Sequence, residues 1–284
     1  MSGKVGGIMG SVGEGAPYLG YSAADLAASP YARFFCAQMA GLSDPVKEAL
    51  LTGPVAHELM WPVERASDLL TDGDWPVETG YSLAPDGSGR VFVRTPMPGV
   101  TPAMWDWWFG WHGSEAERYK LWHPGAHVHV SWADGLGDLG HYVGRTSNVV
   151  EYVGAARLKL SIRFVPPSEL GLDGADLARG GSVVICARAG LGGTPMETGW
   201  LIHHVRPVPG GCEMRSRFWL GGRNVRPRGM PGALGSVLGG LASRFAPIGA
   251  DQARDLLVHC AQEMSHLASR LPQIYAAFGP DGRG

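Results

Sequence analysis

Apolar residues at helical spacing dominate the first quarter of the chain. From Ser22 to about Ala40, Leu26, Ala27, Phe34, Phe35 and Met39 recur ahead of Gly41, with Ser22 placed to cap and Asp25 in the first turn, which predicts a helix. A second, short helix is expected from Asp44 or Pro45 through Leu51, with Ser43 as its cap and Gly53 as its stop. A third apolar segment, Val55 to Leu70, is interrupted by Pro62 and ends in the turn-rich Thr71–Asp72–Gly73–Asp74. Residues 1–75 are therefore expected to form a small helical N-terminal subdomain.

The period then changes from helical to alternating. Glu78–Leu83 and Arg90–Arg94, separated by Pro85–Asp86–Gly87, predict a β-hairpin. Thr101–Pro102 opens a helix carrying Met104, Trp105, Trp107, Trp108 and Trp111, and Ser114–Glu117 opens another that ends at Trp122–His123–Pro124. Strands are predicted at His127–Trp132, Asn148–Val153, Arg157–Val165, Ser182–Ala187, Gly199–Val208 and Glu213–Leu220. Asp251 to about Phe278 reads as one long helix with an apolar stripe through Leu256, Leu257, Cys260, Met264 and Leu267, bent near its end by Pro272. The order is that of an α+β domain over residues 76–284, in which a curved antiparallel sheet wraps one long C-terminal helix. A sheet bent around a single helix leaves room for a ligand chamber with the helix as one wall.

Composition removes several function classes. The 284 residues are 45% hydrophobic and 18% charged, enough for a large core. Net charge is −2 with basic residues scattered singly, so neither a nucleic acid nor an anionic membrane surface is an expected partner. Cys36, Cys186, Cys212 and Cys260 have no CxxC spacing and read as reduced thiols. Met1 to Gly15 is Gly-rich without a signal-peptide profile, and no apolar run is long enough to span a membrane, so a cytoplasmic location is expected. A homodimer is the expectation from base rates alone.

His259 and Glu263 stand one turn apart on the last helix, close enough to share a metal ion, although the same pair also suits a solvated helix face. His127 and His129 alternate on a predicted strand and so are expected on one face, with His123 just before them. This HxH would suit a metal site or simple hydrogen bonding at a helix–strand junction. Glu151 interrupts the apolar run Val149–Val153 and needs either solvent or a strong partner. His203 and His204 point to opposite faces of their strand, one inward as a candidate acid or base and the other solvated.

The segments Met104–His112 and Arg118–His127, followed by Glu151 and a last helix bearing His259-x-x-x-Glu263, resemble the 2,4-diacetylphloroglucinol hydrolase and phloretin hydrolase family. The resemblance spans most of the chain. It implies a helix-grip domain like that of the birch-pollen allergen and START proteins, holding one zinc ion (Zn2+) through His127, Glu151, His259 and Glu263. It further implies that Tyr119 contacts a substrate oxygen, that His123 helps orient phenolic oxygens, and that His203 or a ligand carboxylate such as Glu151 moves the proton. Phe218 stands about where a family tyrosine is expected, which removes one phenolic hydrogen bond. The implied reaction is hydrolysis of the C–C bond between an acyl group and a polyhydroxylated aromatic ring. Rival readings are a non-catalytic helix-grip carrier of an aromatic polyketide or lipid, and a related polyketide cyclase.

Overall fold

The structure is a computed structural model that describes residues 20–71, 73–229 and 247–280. The Gly-rich stretch Met1–Gly15 and Asp72 lie outside the described residues. Nine strands form one antiparallel sheet: β1 (Gly80–Leu83), β2 (Ser88–Pro98), β3 (His127–Trp132), β4 (Thr146–Val153), β5 (Ala156–Val165), β6 (Val183–Leu191), β7 (Met196–Val208), β8 (Gly211–Gly221) and the short β9 (Arg226–Pro227). Their order is β1-β2-β8-β7-β6-β5-β4-β3, with β9 paired to β7. Each predicted strand is present, because alternation in this chain tracks a real inner and outer face.

The inner face carries α3 (Pro102–Trp111), α4 (Ala116–Trp122), α6 (Ala250–Ala268) and α7 (Leu271–Phe278). Val91, Phe164, Ile185 and Met214 of the sheet pack there against Trp105, Trp108, Phe109, Trp122, Leu257 and Met264 in one buried cluster. Trp105 and Trp108 are fully buried, so the tryptophan run is chiefly core. The layout is α+β with a long helix gripped by the sheet. No described helix is long and apolar enough to cross a membrane. All four cysteines are free thiols.

The N-terminal residues clasp both faces. α1 (Ala23–Ala28), a 3-10 turn at Ala32–Phe34 and α2 (Asp44–Thr52) add Tyr31, Phe34 and Val46 to the inner cluster. The 3-10 turns of Val63–Leu70, together with Leu172 and with Leu177 of α5 (Gly174–Arg179), bury Phe92, Cys186, Ile202 and Trp219 on the outer face.

Two predicted helices are shorter than expected, and proline explains both. α1 has its capping box from Ser22 and Asp25 but ends at Ala28, since Pro30 offers no N–H and forces Ser29 into extended conformation. The long helix breaks after Ala268, and Arg270 is non-helical. The Pro272 ring would meet the carbonyl four residues earlier, at Ala268, so the chain restarts as α7.

Candidate metal centre

Three elements deliver four side chains to one point. His127 opens β3, immediately after the turn in which the Ala126 and His127 amides donate to the His123 carbonyl. A β-bulge between His127 and His129 then shifts the register, with His127 opposite Glu151 and His129 opposite Val150. The extra residue breaks the alternation. His127 points inward and is 1% exposed, whereas His129 is exposed. The expected common face for His127 and His129 is thus not found, and the bulge is the reason.

Glu151 faces inward from β4 beside His127, and α6 supplies His259 and Glu263, both buried. His127 Nε2 lies 3.4 Å from Glu263 Oε2 and 3.7 Å from Glu151 Oε2, and His259 Nε2 lies 3.7 Å from the same Glu263 oxygen. One donor atom each of His127, Glu151 and His259 fall within 4.8 Å of one another. Ligands of a tetrahedral zinc at ~2.0–2.2 Å sit about 3.3–3.6 Å apart, so the pairs at 3.4–3.7 Å approach the separation in a filled shell while the set as a whole is somewhat wider.

The supporting contacts fix how each ligand is presented. His127 Nδ1 donates to the Tyr119 carbonyl at 3.0 Å, which leaves the lone pair on Nε2, a buried atom with no hydrogen-bond partner among the described residues. The His259 ring hydrogen-bonds the Tyr152 backbone. The Tyr119 hydroxyl donates to Glu151 Oε2, and its ring stacks on His127 with centroids 3.7 Å apart. Such outer contacts orient metal ligands and set their tautomers.

Burial governs the electrostatics. It holds His127 well below the ordinary imidazole range, aided by His259 and His123, and pulls His259 down to about 4. It pushes Glu151 up to about 7, only partly offset by the Tyr119 hydrogen bond, and with the Glu151 charge it drives Glu263 well above the carboxylate range. Two neutral imidazoles and two carboxylates without a cationic side chain form a donor set that a divalent ion would satisfy. The unpartnered Nε2 of His127 fits that requirement.

His123 stacks on His259 at 4.9 Å, and burial lowers it to about 3. Together with Tyr152, Gly154, Asp255 and Gln262 these two histidines line a recess of about 170 Å³. His203 is the inward member of its pair. Its Nδ1 shares a 2.8 Å hydrogen bond with Ser216 Oγ, and its ring stacks on Phe109 with Phe218 edge-on. It stands outside the four-residue cluster. His204 faces outward but is 3% exposed rather than solvated, because Val63–Leu70 and α5 cover that face.

Ser216 was not anticipated, although the signal was available: counting five residues back and five forward from the Val208–Gly211 hairpin closure pairs His203 with Ser216. Gly154, in the β4–β5 turn, was also passed over. Its φ is +59°, a left-handed conformation that favours glycine, whereas the Asp255 carboxylate of α6 that a Cβ there would meet is half-exposed and able to swing aside, so the need for glycine lies in the turn itself.

Comparison with known proteins places the chain in a family. The sequence profile of the DAPG hydrolase PhiG domain matches residues 60–276. The chain is 34% identical over 268 residues to a 2,4-diacetylphloroglucinol hydrolase of Pseudomonas sp, covering 88% of both, and 29% identical over 240 residues to the phloretin hydrolase of Eubacterium ramulus, covering 79% and 81%. Among solved structures, ginseng major latex-like protein 151 from Panax ginseng aligns over 61% of this chain and 97% of its own at 13% identity and a TM-score of 0.32, a likeness too distant to add to the topology above. With the domain profile spanning most of the sheet and both terminal helices, and with relatives matched along nearly their whole length, the chain belongs to the 2,4-diacetylphloroglucinol hydrolase family.

Proposed function

We propose that this protein is a zinc-dependent hydrolase that cleaves the C–C bond between an acyl group and a polyhydroxylated aromatic ring, as in 2,4-diacetylphloroglucinol or phloretin. The observation that carries the reading is the convergence of His127, Glu151, His259 and Glu263, with the buried Nε2 of His127 lacking a partner, in a chain whose relatives are named for hydrolysing these compounds.

The bond is breakable because the ring can accept its electron pair. In the keto tautomer the acyl group belongs to a β-diketone. Water adds its oxygen to the acyl carbon, the ring–acyl bond breaks, and its electrons enter the ring as an enolate that takes up a proton, giving a phenol and a free carboxylic acid. Zinc bound at this site supplies Lewis acidity, polarising a carbonyl oxygen or bringing the pKa of water toward ~7.

The protein's own groups do the rest. Glu151 and Glu263 supply two negative charges to match a divalent ion, and the Tyr119 hydroxyl steadies Glu151. The Tyr119 carbonyl fixes the tautomer of His127. His123, against His259 at the recess, is placed to orient a phenolic oxygen. His203 is held at Nδ1 by Ser216, which leaves Nε2 to hold or pass a proton. Phe218 beside it offers no hydroxyl, so this pocket should favour substrates that need one phenolic contact fewer.

The test is incubation with 2,4-diacetylphloroglucinol and with phloretin, following the aryl-ketone absorbance and identifying the acid released, with elemental analysis of the same protein. About one zinc per chain and a free acid are expected. A metal-free protein that binds these compounds without cleaving them would be a carrier, and a product without free acid would indicate a cyclase.

A further inference from the structure

On the outer face of the sheet a cavity of about 350 Å³ opens between β7, the end of the Val63–Leu70 turns and α5. One of its walls is His204, 3% exposed, with neither ring nitrogen hydrogen-bonded among the described residues. Arg206, two residues along β7, also lines it and directs Nε to Glu213 at 2.6 Å. Across the ladder from His204 stands Arg215, fully buried, with Nε ion-paired to Glu213 at 3.2 Å and Nη1 without a hydrogen-bond partner among the described residues.

A buried polar nitrogen without a partner is costly, and here both ring nitrogens of His204 lie beside open space, with Arg215 Nη1 on the neighbouring strand. Charge adds a second indication. Among the described residues, the ion-pair network behind the cavity joins Arg94, Arg206, Arg215 and Arg217 to Asp74, Glu78 and Glu213, four cations to three anions. Burial, then Arg215, Arg206 and Arg217, bring His204 down to about 4, which reports positive potential at the imidazole. Asp176 at the rim is already matched by Arg179.

We propose that this cavity is a binding site for a short organic monocarboxylate, its carboxylate held by Arg206 and His204 and its apolar body resting on Leu69, Leu70 and Pro207. An excess of one cation among the described residues suits a monoanion rather than a phosphate dianion. The leucine and proline walls suit an organic body rather than a bare inorganic ion. The site stands on its own residues, on the opposite face of the sheet from the metal centre, and does not depend on the reaction proposed there.

Calorimetric titration of the zinc-loaded full-length protein with benzoate, and with its neutral counterpart benzamide, tests the site. Benzoate is expected to bind at least about tenfold more tightly than benzamide, with affinity falling by about tenfold or more in His204→Phe and in Arg206→Gln. Leu70→Trp, which fills the mouth without altering a polar group, should abolish the heat of binding. His259→Ala should leave benzoate affinity unchanged. Equal affinity in all three outer-face variants, no binding to the wild-type protein, or loss of binding in His259→Ala would each overturn the proposal, the last by locating the acid at the metal instead.

Discussion

Glu151 and Glu197 are both glutamates carried inside the same sheet, and their surroundings drive them in opposite directions. Glu197 at the start of β7 is 1% exposed, yet Arg163 at 2.8 Å, Arg188 at 2.9 Å, Arg226 at 3.0 Å and Arg228 at 3.8 Å surround it, and against the cost of burial they bring it down to about 2. Glu151 has Tyr119 and a neutral histidine and is pushed up to about 7. Burial is common to both, and the counter-charge decides the outcome. A carboxylate matched by arginines is a structural element. A pair of carboxylates gathered with no cationic side chain against them among the described residues is a candidate site for a divalent ion.

The largest way to break this contrast is Glu197→Gln, which strands Arg188 at 1% exposure. A stability loss of about 3–5 kcal/mol is expected in urea unfolding, with turnover per folded molecule retained. The same group contributes to the acid limb. Its folded pKa lies below the unfolded value of 4.5, so its contribution is complete above that value and is lost as pH falls toward about 2. Unfolding measured across that window should show a slope in the wild-type protein that Glu197→Gln reduces, the remainder coming from other lowered carboxylates such as Asp134 and Glu213.

On the inner face the expected order of effects follows closeness to the proposed zinc. Glu263→Gln should lower both zinc content and turnover by more than about 100-fold, beyond what loss of an outer contact produces. Stripping zinc with a chelator should remove about 2.7 kcal/mol of stability relative to protein at a free-zinc level of 100 times Kd, seen as a fall in Tm. Tyr119→Phe removes the hydroxyl on Glu151 but keeps the ring stacked on His127. Metal affinity should drop about 10-fold, which competition with a chromogenic chelator would measure.

Much of this was readable from the chain because the signals are local. Alternation located β1 to β8, Thr101–Pro102 located α3, and His259 with Glu263 needs only the pitch of one helix, while the two-residue β9 has no pattern of its own. Two of the misses depend on another segment. The bulge that turns His129 away from His127 exists only in the pairing of β3 with β4. Burial of His204 comes from Val63–Leu70 crossing the outer face, which no periodicity within β7 can report. α5 was overlooked although Asp173 caps it with its side chain, because a six-residue helix has too short an apolar pattern to stand out.

Gly154 constrains the site without being a donor itself. Its φ of +59° is one that alanine adopts only with strain, whereas the Asp255 carboxylate that a methyl group would meet is half-exposed and able to swing aside. Gly154→Ala would therefore strain the turn that follows the strand bearing Glu151 rather than wedge sheet and helix apart, while every donor stays chemically intact. A change in that turn would go unnoticed in any comparison of the donors alone.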